Sequence, residues 1–187
     1  MSGRRVVIGA TVGLLASLCA ANTASAAPMD EPQTRPAGVP AAEKVLATFE
    51  GKRIDLSQGW GEARVCDVHS PRDIRCYRTP GEAADGRGTT GFVATGRAEP
   101  TAFEDCPKDW LCIWDTPNFN GRMAKVQDDT PVELDSLGLR NNVGSWANRQ
   151  RDPGGLILTG NAIHDINPND KVANGRQVGN KAEKVFG

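Results

Sequence analysis

The chain has 187 residues, with 22 Lys plus Arg against 23 Asp plus Glu and a formal net charge of -1. That balance gives little attraction for a phosphate backbone, so nucleic acid is excluded as an expected partner. The length allows one sizeable core or two small ones.

Arg4 and Arg5 precede an apolar run over 6–21, and Ala24-Ser25-Ala26 supplies the small-x-small pattern of a cleavage site. Basic, apolar and small segments in that order read as a secretory signal over 1–26. The run is short for a helix that must cross ~30 Å of hydrocarbon, so no membrane association is expected after cleavage. Cys19 follows Leu18, which is bulky where lipid attachment wants a small residue. The expected protein is extracellular and starts at Ala27; losing Arg4 and Arg5 takes its formal charge to -3.

Residues 27–40 carry Pro28, Pro32, Pro36 and Pro40 with no apolar period, and read as a flexible leader. A short helix is expected over 41–47, then a weakly alternating stretch over 52–56 and a turn at Gly59-Trp60-Gly61. Strands are expected over 64–68 and 74–78, with Ser70-Pro71-Arg72-Asp73 as turn chemistry. Thr79-Pro80-Gly81-Glu82 places a cap, a first-turn proline and a carboxylate three residues on, which starts a short helix. A Gly- and Thr-rich stretch over 86–101, with Phe92-Val93, reads as a linker or edge strand. The division that follows is a small α+β region over 41–100 and a second domain over 101–187.

The pattern sharpens after Cys106. Residues 110–114 read as a strand by aromatic and branched content, and Pro117, Asn118 and Asn120 break it. Gly121 permits a positive φ, and 122–127 resume as a strand. Thr130-Pro131-Val132-Glu133 repeats the helix-capping signal, and Leu134, Leu137 and Leu139 can cover the end of a core. Further strands are expected over 143–147, 156–158, 172–178 and 182–186. Two short sheet motifs can cover each other's apolar faces as a sandwich.

Four cysteines remain beyond the signal, an even number in an exported chain, which favours disulfides over metal thiolates. They allow three pairings. Cys66 with Cys76 and Cys106 with Cys112 make the most local solution.

His69 and His164 are the two histidines, beside Ser70 and Asp165. No G-x-S-x-G or H-E-x-x-H stretch accompanies them, so the expectation is a protein that is not an enzyme and has no catalytic residues.

Trp114, Phe119 and Gly121 have the spacing of the folded-hairpin signature of the βγ-crystallins, in which aromatic rings cover a hairpin bent at the glycine. With CPKDWLCIW, NFNGR and NNVGSW, the chain resembles the secreted actinobacterial peptidase-inhibitor family that includes the Streptomyces metalloproteinase inhibitor. The resemblance covers 105–148 well, 156–187 loosely and 27–100 little. It implies an all-β, βγ-crystallin-like double Greek-key sandwich in the C-terminal half, preceded by a small disulfide-stapled region. It further implies reversible binding to an extracellular peptidase, with metallopeptidases as the class suggested. Two other readings fit the same residues: an extracellular or envelope-associated module that binds glycan or protein, and a structural βγ-crystallin-like protein.

The resemblance also raises calcium. Asn141, Asn142 and Ser145 occupy three ligand positions of the family motif, while Trp146 departs from the next. Asn180, Lys181 and Lys184 depart further in the second motif. A hard cation wants six to eight oxygens. No cofactor is required, and the competing reading of Asn141 and Asn142 is a turn closed by side-chain hydrogen bonds. Trp60 and Trp110 are the candidate surface anchors for a partner. The disulfide loop over 106–112, the corner over 115–121 and the connector over 149–155 are the candidate inhibitory segments.

Overall fold

The computed structural model of the protein describes residues 44–86 and 102–187. The expected signal, the leader, the start of the helix expected over 41–47 and the stretch containing Phe92-Val93 lie outside the described residues.

Of the helix expected over 41–47, residues 44–46 belong to no helix or strand and Ala47 opens a hairpin. Strand β1 (Ala47–Phe49) pairs antiparallel with β2 (Lys52–Ile54). Glu50 and Gly51 between them have φ of 49° and 74°, the left-handed pair of a two-residue hairpin turn. Branched Thr48 and aromatic Phe49 suit the pleat, and β1 also pairs parallel with a later strand, Thr48 opposite Arg75. Leu56 follows in a single 3₁₀ turn capped by Asp55, whose carboxylate accepts from the Ser57 amide at 3.0 Å.

Strands β3 (Val65–Ser70) and β4 (Asp73–Tyr77) form the expected hairpin. The Ser70 hydroxyl accepts from the Asp73 amide at 3.1 Å and so closes the turn. Cys66 and Cys76 lie opposite each other in register and are bonded at 2.04 Å. Helix α1 (Pro80–Ala84) starts as expected: Thr79 Oγ1 accepts from the Glu82 amide at 3.1 Å, and Glu82 reaches back to the Arg78 amide at 2.9 Å.

After a 3₁₀ turn over Phe103–Asp105 come β5 (Leu111–Thr116) and β6 (Asn120–Val126). Then follow β7 (Val132–Glu133), β8 (Ser145–Asn148), β9 (Gly154–Leu158), β10 (Ile163–Ile166) and β11 (Lys171–Val172). Helix α2 (Arg176–Gly179) and β12 (Ala182–Phe186) complete the chain. Two expectations are corrected. The Thr130-Pro131 signal starts no helix, because Val132 is drawn into register with Val185 and the strand pairing takes its backbone. The strand expected over 172–178 stops at Val172, since Gly175 packs against the Trp146 ring and the chain turns into α2.

The strands form two sheets. The larger runs β11-β8-β5-β6-β3-β4-β1-β2 and the smaller β10-β9-β12-β7. Each Greek key lends a strand to the other's sheet: β7 leaves the first motif to pair with β12, and β11 leaves the second to pair with β8. This is an all-β double Greek-key sandwich.

The expected separation of 41–100 from 101–187 is not how the core is built. Strand β3 pairs parallel with β6, residue Cys66 opposite Ala124 and Val68 opposite Val126. Leu56, Trp60, Cys66 and Ile74 therefore share one apolar cluster with Leu111, Ile113, Val132, Leu137, Leu156 and Val185. The first segment extends the sheet instead of standing apart.

Alternation along β5 assigns the two faces. Leu111 and Ile113 enter the sandwich core, while Cys112 and Trp114 point to the opposite face. There Val65, Tyr77, Ala83, Cys106, Phe119 and Met123 form a second cluster, edged by half-buried Phe103 and Trp110.

Candidate functional site

The folded corner between β5 and β6 shows why aromatic and glycine residues recur at that spacing. Trp114 is fully buried, and Phe119 meets it edge-on at 5.2 Å between ring centroids. Asn118 and Phe119 both have positive φ, as does Gly121 at 84°. A Cβ on Gly121 would lie 2.0 Å from Asp115 Oδ1. That oxygen accepts from the Arg122 amide at 2.9 Å, and Asp115 Oδ2 pairs with Arg122 Nε at 2.7 Å. The corner is locked by its own side chains and lies within the second apolar cluster.

Two of the calcium-motif side chains, Ser145 and Asn142, are engaged elsewhere. Ser145 is buried; its hydroxyl donates to the Thr116 carbonyl at 2.8 Å and accepts from the Phe119 amide at 3.0 Å. Asn142 Oδ1 accepts from Arg176 Nη1 at 2.8 Å, and Arg176 Nη2 donates to the Asp115 carbonyl at 3.0 Å. A guanidinium thus bridges oxygens beside the motif. Asn141, at φ 54°, makes the turn and donates its amide to the Ala182 carbonyl at 2.8 Å. Among the described residues no three His, Cys, Asp or Glu side chains converge to hold a metal ion.

Trp60 is not a surface anchor. It is 3% exposed, and its indole Nε1 donates to the Leu137 carbonyl at 2.7 Å, 77 residues away. Trp110 is half-buried, with His69 edge-on to it at 5.3 Å and Lys125 Nζ 5.1 Å from its ring centroid. Lys125 is itself buried and paired with buried Asp67 at 2.7 Å. Desolvation holds the Asp67 carboxyl above its ordinary range, and the Lys125 ammonium opposes that shift. Trp110 therefore rests on a charged, rigid floor.

His69 and His164 are far apart in role as well as sequence. His164 packs edge-on to Trp146 at 5.3 Å, and the Ser70 hydroxyl is spent on its turn.

One end of the molecule gathers two of the three candidate segments. Cys106 and Cys112 are bonded at 1.99 Å and close a loop whose tip, Lys108 and Asp109, is exposed. Against it lies the connector leaving β8. The Asp109 amide donates to the Arg149 carbonyl at 3.0 Å, and the Arg149 amide donates to the Trp110 carbonyl at 2.9 Å. Arg149 Nη1 donates to the Cys106 carbonyl, and its guanidinium stacks 5.2 Å from the Phe103 ring centroid. Two open grooves flank this pair of segments and share Asp109, Gln150 and Arg151; one reaches Phe103 and Pro168, the other His69 and Gln127.

The residue that organises the connector, Asn148, escaped sequence reasoning. It is fully buried at the end of β8, and its side-chain amide donates to the carbonyls of Asp152 at 3.0 Å and Ile166 at 2.8 Å. Its Oδ1 accepts from the Gln150 amide at 2.8 Å. A polar residue directly after the apolar Trp146-Ala147 pair was the available signal.

Among curated proteins and among solved structures, none is significantly similar to the chain. The sequence model of peptidase inhibitor family I36 matches residues 99–153, a span that contains the disulfide loop, the folded corner, β8 and the connector through Pro153. Over that span, which is under a third of the chain, the protein is similar to peptidase inhibitor family I36.

Proposed function

We propose that this protein is a secreted, non-catalytic inhibitor of an extracellular peptidase and acts by reversible protein-protein binding. The observation that carries the reading is the end of the sandwich where the 106–112 disulfide loop and the 149–152 connector bond to each other. An inhibitor must present a segment whose conformation is set before the partner arrives, because ordering it on binding weakens the complex. Both segments meet that need: one is closed covalently, the other tied to a buried amide and to its neighbour. Both lie inside the span that matches the inhibitor family.

The glycan-binding alternative loses its main support. It needs an aromatic face open to sugar, and of the four tryptophans Trp60, Trp114 and Trp146 are buried, leaving half-buried Trp110 with Lys125 over its ring.

The test is competition at the peptidase active site. The protein is expected to bind a panel of secreted serine and metallopeptidases in at least one case, and to lose that binding when the peptidase is first blocked with a small active-site inhibitor. Equal binding to blocked and free peptidase would show a docking module that leaves the active site open. No binding to any member would count against peptidases as partners.

A further inference from the structure

The binding end is not built only from the span that is similar to the inhibitor family. Strand β3 lies outside 99–153, yet its parallel register with β6 sets Val68 opposite Val126. Across the same sheet Val126 stands opposite Leu111, and Leu111 opposite Asn148. Four strands therefore reach one end of the sheet in step. The Gln127 amide, donating to the Val68 carbonyl at 3.3 Å, holds the outermost position of β3 against β6.

Alternation then decides which side chains share a face. Val68, Leu111 and Val126 enter the sandwich core, so His69, Trp110 and Gln127, the positions just beyond them, fall on the opposite face. The contacts agree: Trp110 packs against the second cluster, and the His69 ring meets it edge-on at 5.3 Å. His69 and Gln127 also line one open groove with Asp109 of the disulfide loop and Gln150 and Arg151 of the connector. One wall of that groove thus comes from outside the family-like span.

His69 is half-buried, and no hydrogen bond among the described residues engages either ring nitrogen. Its neighbours are committed: the Ser70 hydroxyl closes the turn, and Asp67 is paired with Lys125. That leaves His69 as the polar side chain of β3 available to a partner at this end.

Resting on the inhibitor reading above, we propose that His69 is a specificity-determining residue of the inhibitor, meeting the rim of the bound peptidase beside the disulfide loop. An imidazole keeps at least one N–H in either protonation state, so the bond it offers suits a carbonyl or carboxylate oxygen on the peptidase. The β3–β4 hairpin thereby widens the binding face, and a domain without that hairpin cannot make this contact.

The experiment measures inhibition constants of the protein, His69→Ala, His69→Phe and His69→Gln against a thermolysin-like metallopeptidase and a subtilisin-like serine peptidase, with a melting curve for each variant. The phenyl ring of His69→Phe keeps the packing on Trp110 and removes both nitrogens, so it separates a contact from a support for the loop. Against whichever peptidase is inhibited, His69→Ala and His69→Phe should weaken inhibition by about fivefold or more, because an oxygen of the partner is left unpaired. His69→Gln retains an N–H donor and should stay within about threefold of the parent, while His69→Phe melts with the parent. Inhibition by His69→Phe within about twofold of the parent would mean that the ring acts only by packing on Trp110; it overturns the proposal and leaves the inhibitor reading in place.

A second readout is direct. The chain contains two histidines, and His164 packs against Trp146 from β10 of the smaller sheet, so histidine-selective labelling gives one ring resonance for the contact and one for reference. Saturating peptidase should shift the His69 resonance and leave that of His164 in place; equal perturbation of both, or of neither, contradicts a contact at His69. Inhibition of neither peptidase by the parent protein overturns this proposal together with the inhibitor reading.

Discussion

Arg176 Nη1 donates to Asn142 Oδ1 at 2.8 Å, so a side-chain cation satisfies an oxygen that the sequence motif offers to calcium. The same guanidinium takes the Asp115 carbonyl at 3.0 Å, and the nearby Ser145 hydroxyl is occupied by two backbone groups. Two of the three side-chain oxygens that the motif offers a hard cation, those of Asn142 and Ser145, are already paired. A ligand present at a hundred times its dissociation constant would add ~2.7 kcal/mol, several degrees in Tm for a domain of this size. Melting curves in millimolar calcium and in chelator should coincide within about 1 °C. A rise of several degrees with calcium would show that Arg176 yields to the ion.

The folded corner should be intolerant of a single methyl group. In Gly121→Ala the new Cβ meets Asp115 Oδ1, and the backbone remains at a φ of 84° that side chains resist. Displacing Asp115 also breaks its bonds to Arg122. A loss of about 2 kcal/mol or more is expected in chemical denaturation. Unchanged stability would mean that the corner can relax around a side chain.

Each disulfide closes a short loop and constrains the unfolded chain. The chain-entropy relation gives about 2–3 kcal/mol for either link. Cys106→Ser with Cys112→Ser should therefore destabilise by that amount and also free the Asp109 and Arg149 contacts, weakening partner binding. Cys66→Ser with Cys76→Ser should cost comparable stability with no direct effect on the binding end, since that link lies in the β3–β4 hairpin. Urea midpoints measured beside binding affinity separate the two.

Asp67 and Lys125 predict a pH signature. Burial raises the folded carboxyl above 3.8, so the folded chain holds that proton more tightly than the unfolded chain does. The sign follows from linkage: this contribution is fully present below pH 3.8 and is lost as pH rises through the raised folded value. Asp67→Asn should remove the loss but leave a buried ammonium unpaired, at a cost of about 3–5 kcal/mol at neutral pH. Replacing both residues with Asn and Met should recover most of that stability and flatten the pH profile. Denaturation curves across pH 3 to 7 test both statements.

How much of this was legible depended on range. The β3–β4 hairpin, the α1 cap and the β5–β6 corner carry their signals within a few residues, in Ser70, Thr79, Glu82 and Gly121. The parallel pairing of β3 with β6 joins Val65 to Met123 and leaves no local trace, so the first segment looked like a separate region. Strand β10 went unseen because its four residues lie on a sheet edge with a burial pattern too short to show a period. Trp60 looked available because flanking glycines suggest a surface turn, yet the ring is taken up by a carbonyl from the far side of the fold. At the candidate site, the disulfide loop was legible from cysteine spacing. The bracing of the connector was not, because it depends on which way one buried amide points.

The central claim is inhibition, and its most direct measurement is a titration of an active-site-counted secreted peptidase with the protein, followed by intact-mass analysis of both. The account predicts activity falling in proportion to added protein until one inhibitor is present per peptidase, with the chain intact or cut only at a bond that keeps both ends attached. Full activity in large molar excess, with the chain progressively digested to peptides, would make the protein a substrate and contradict it.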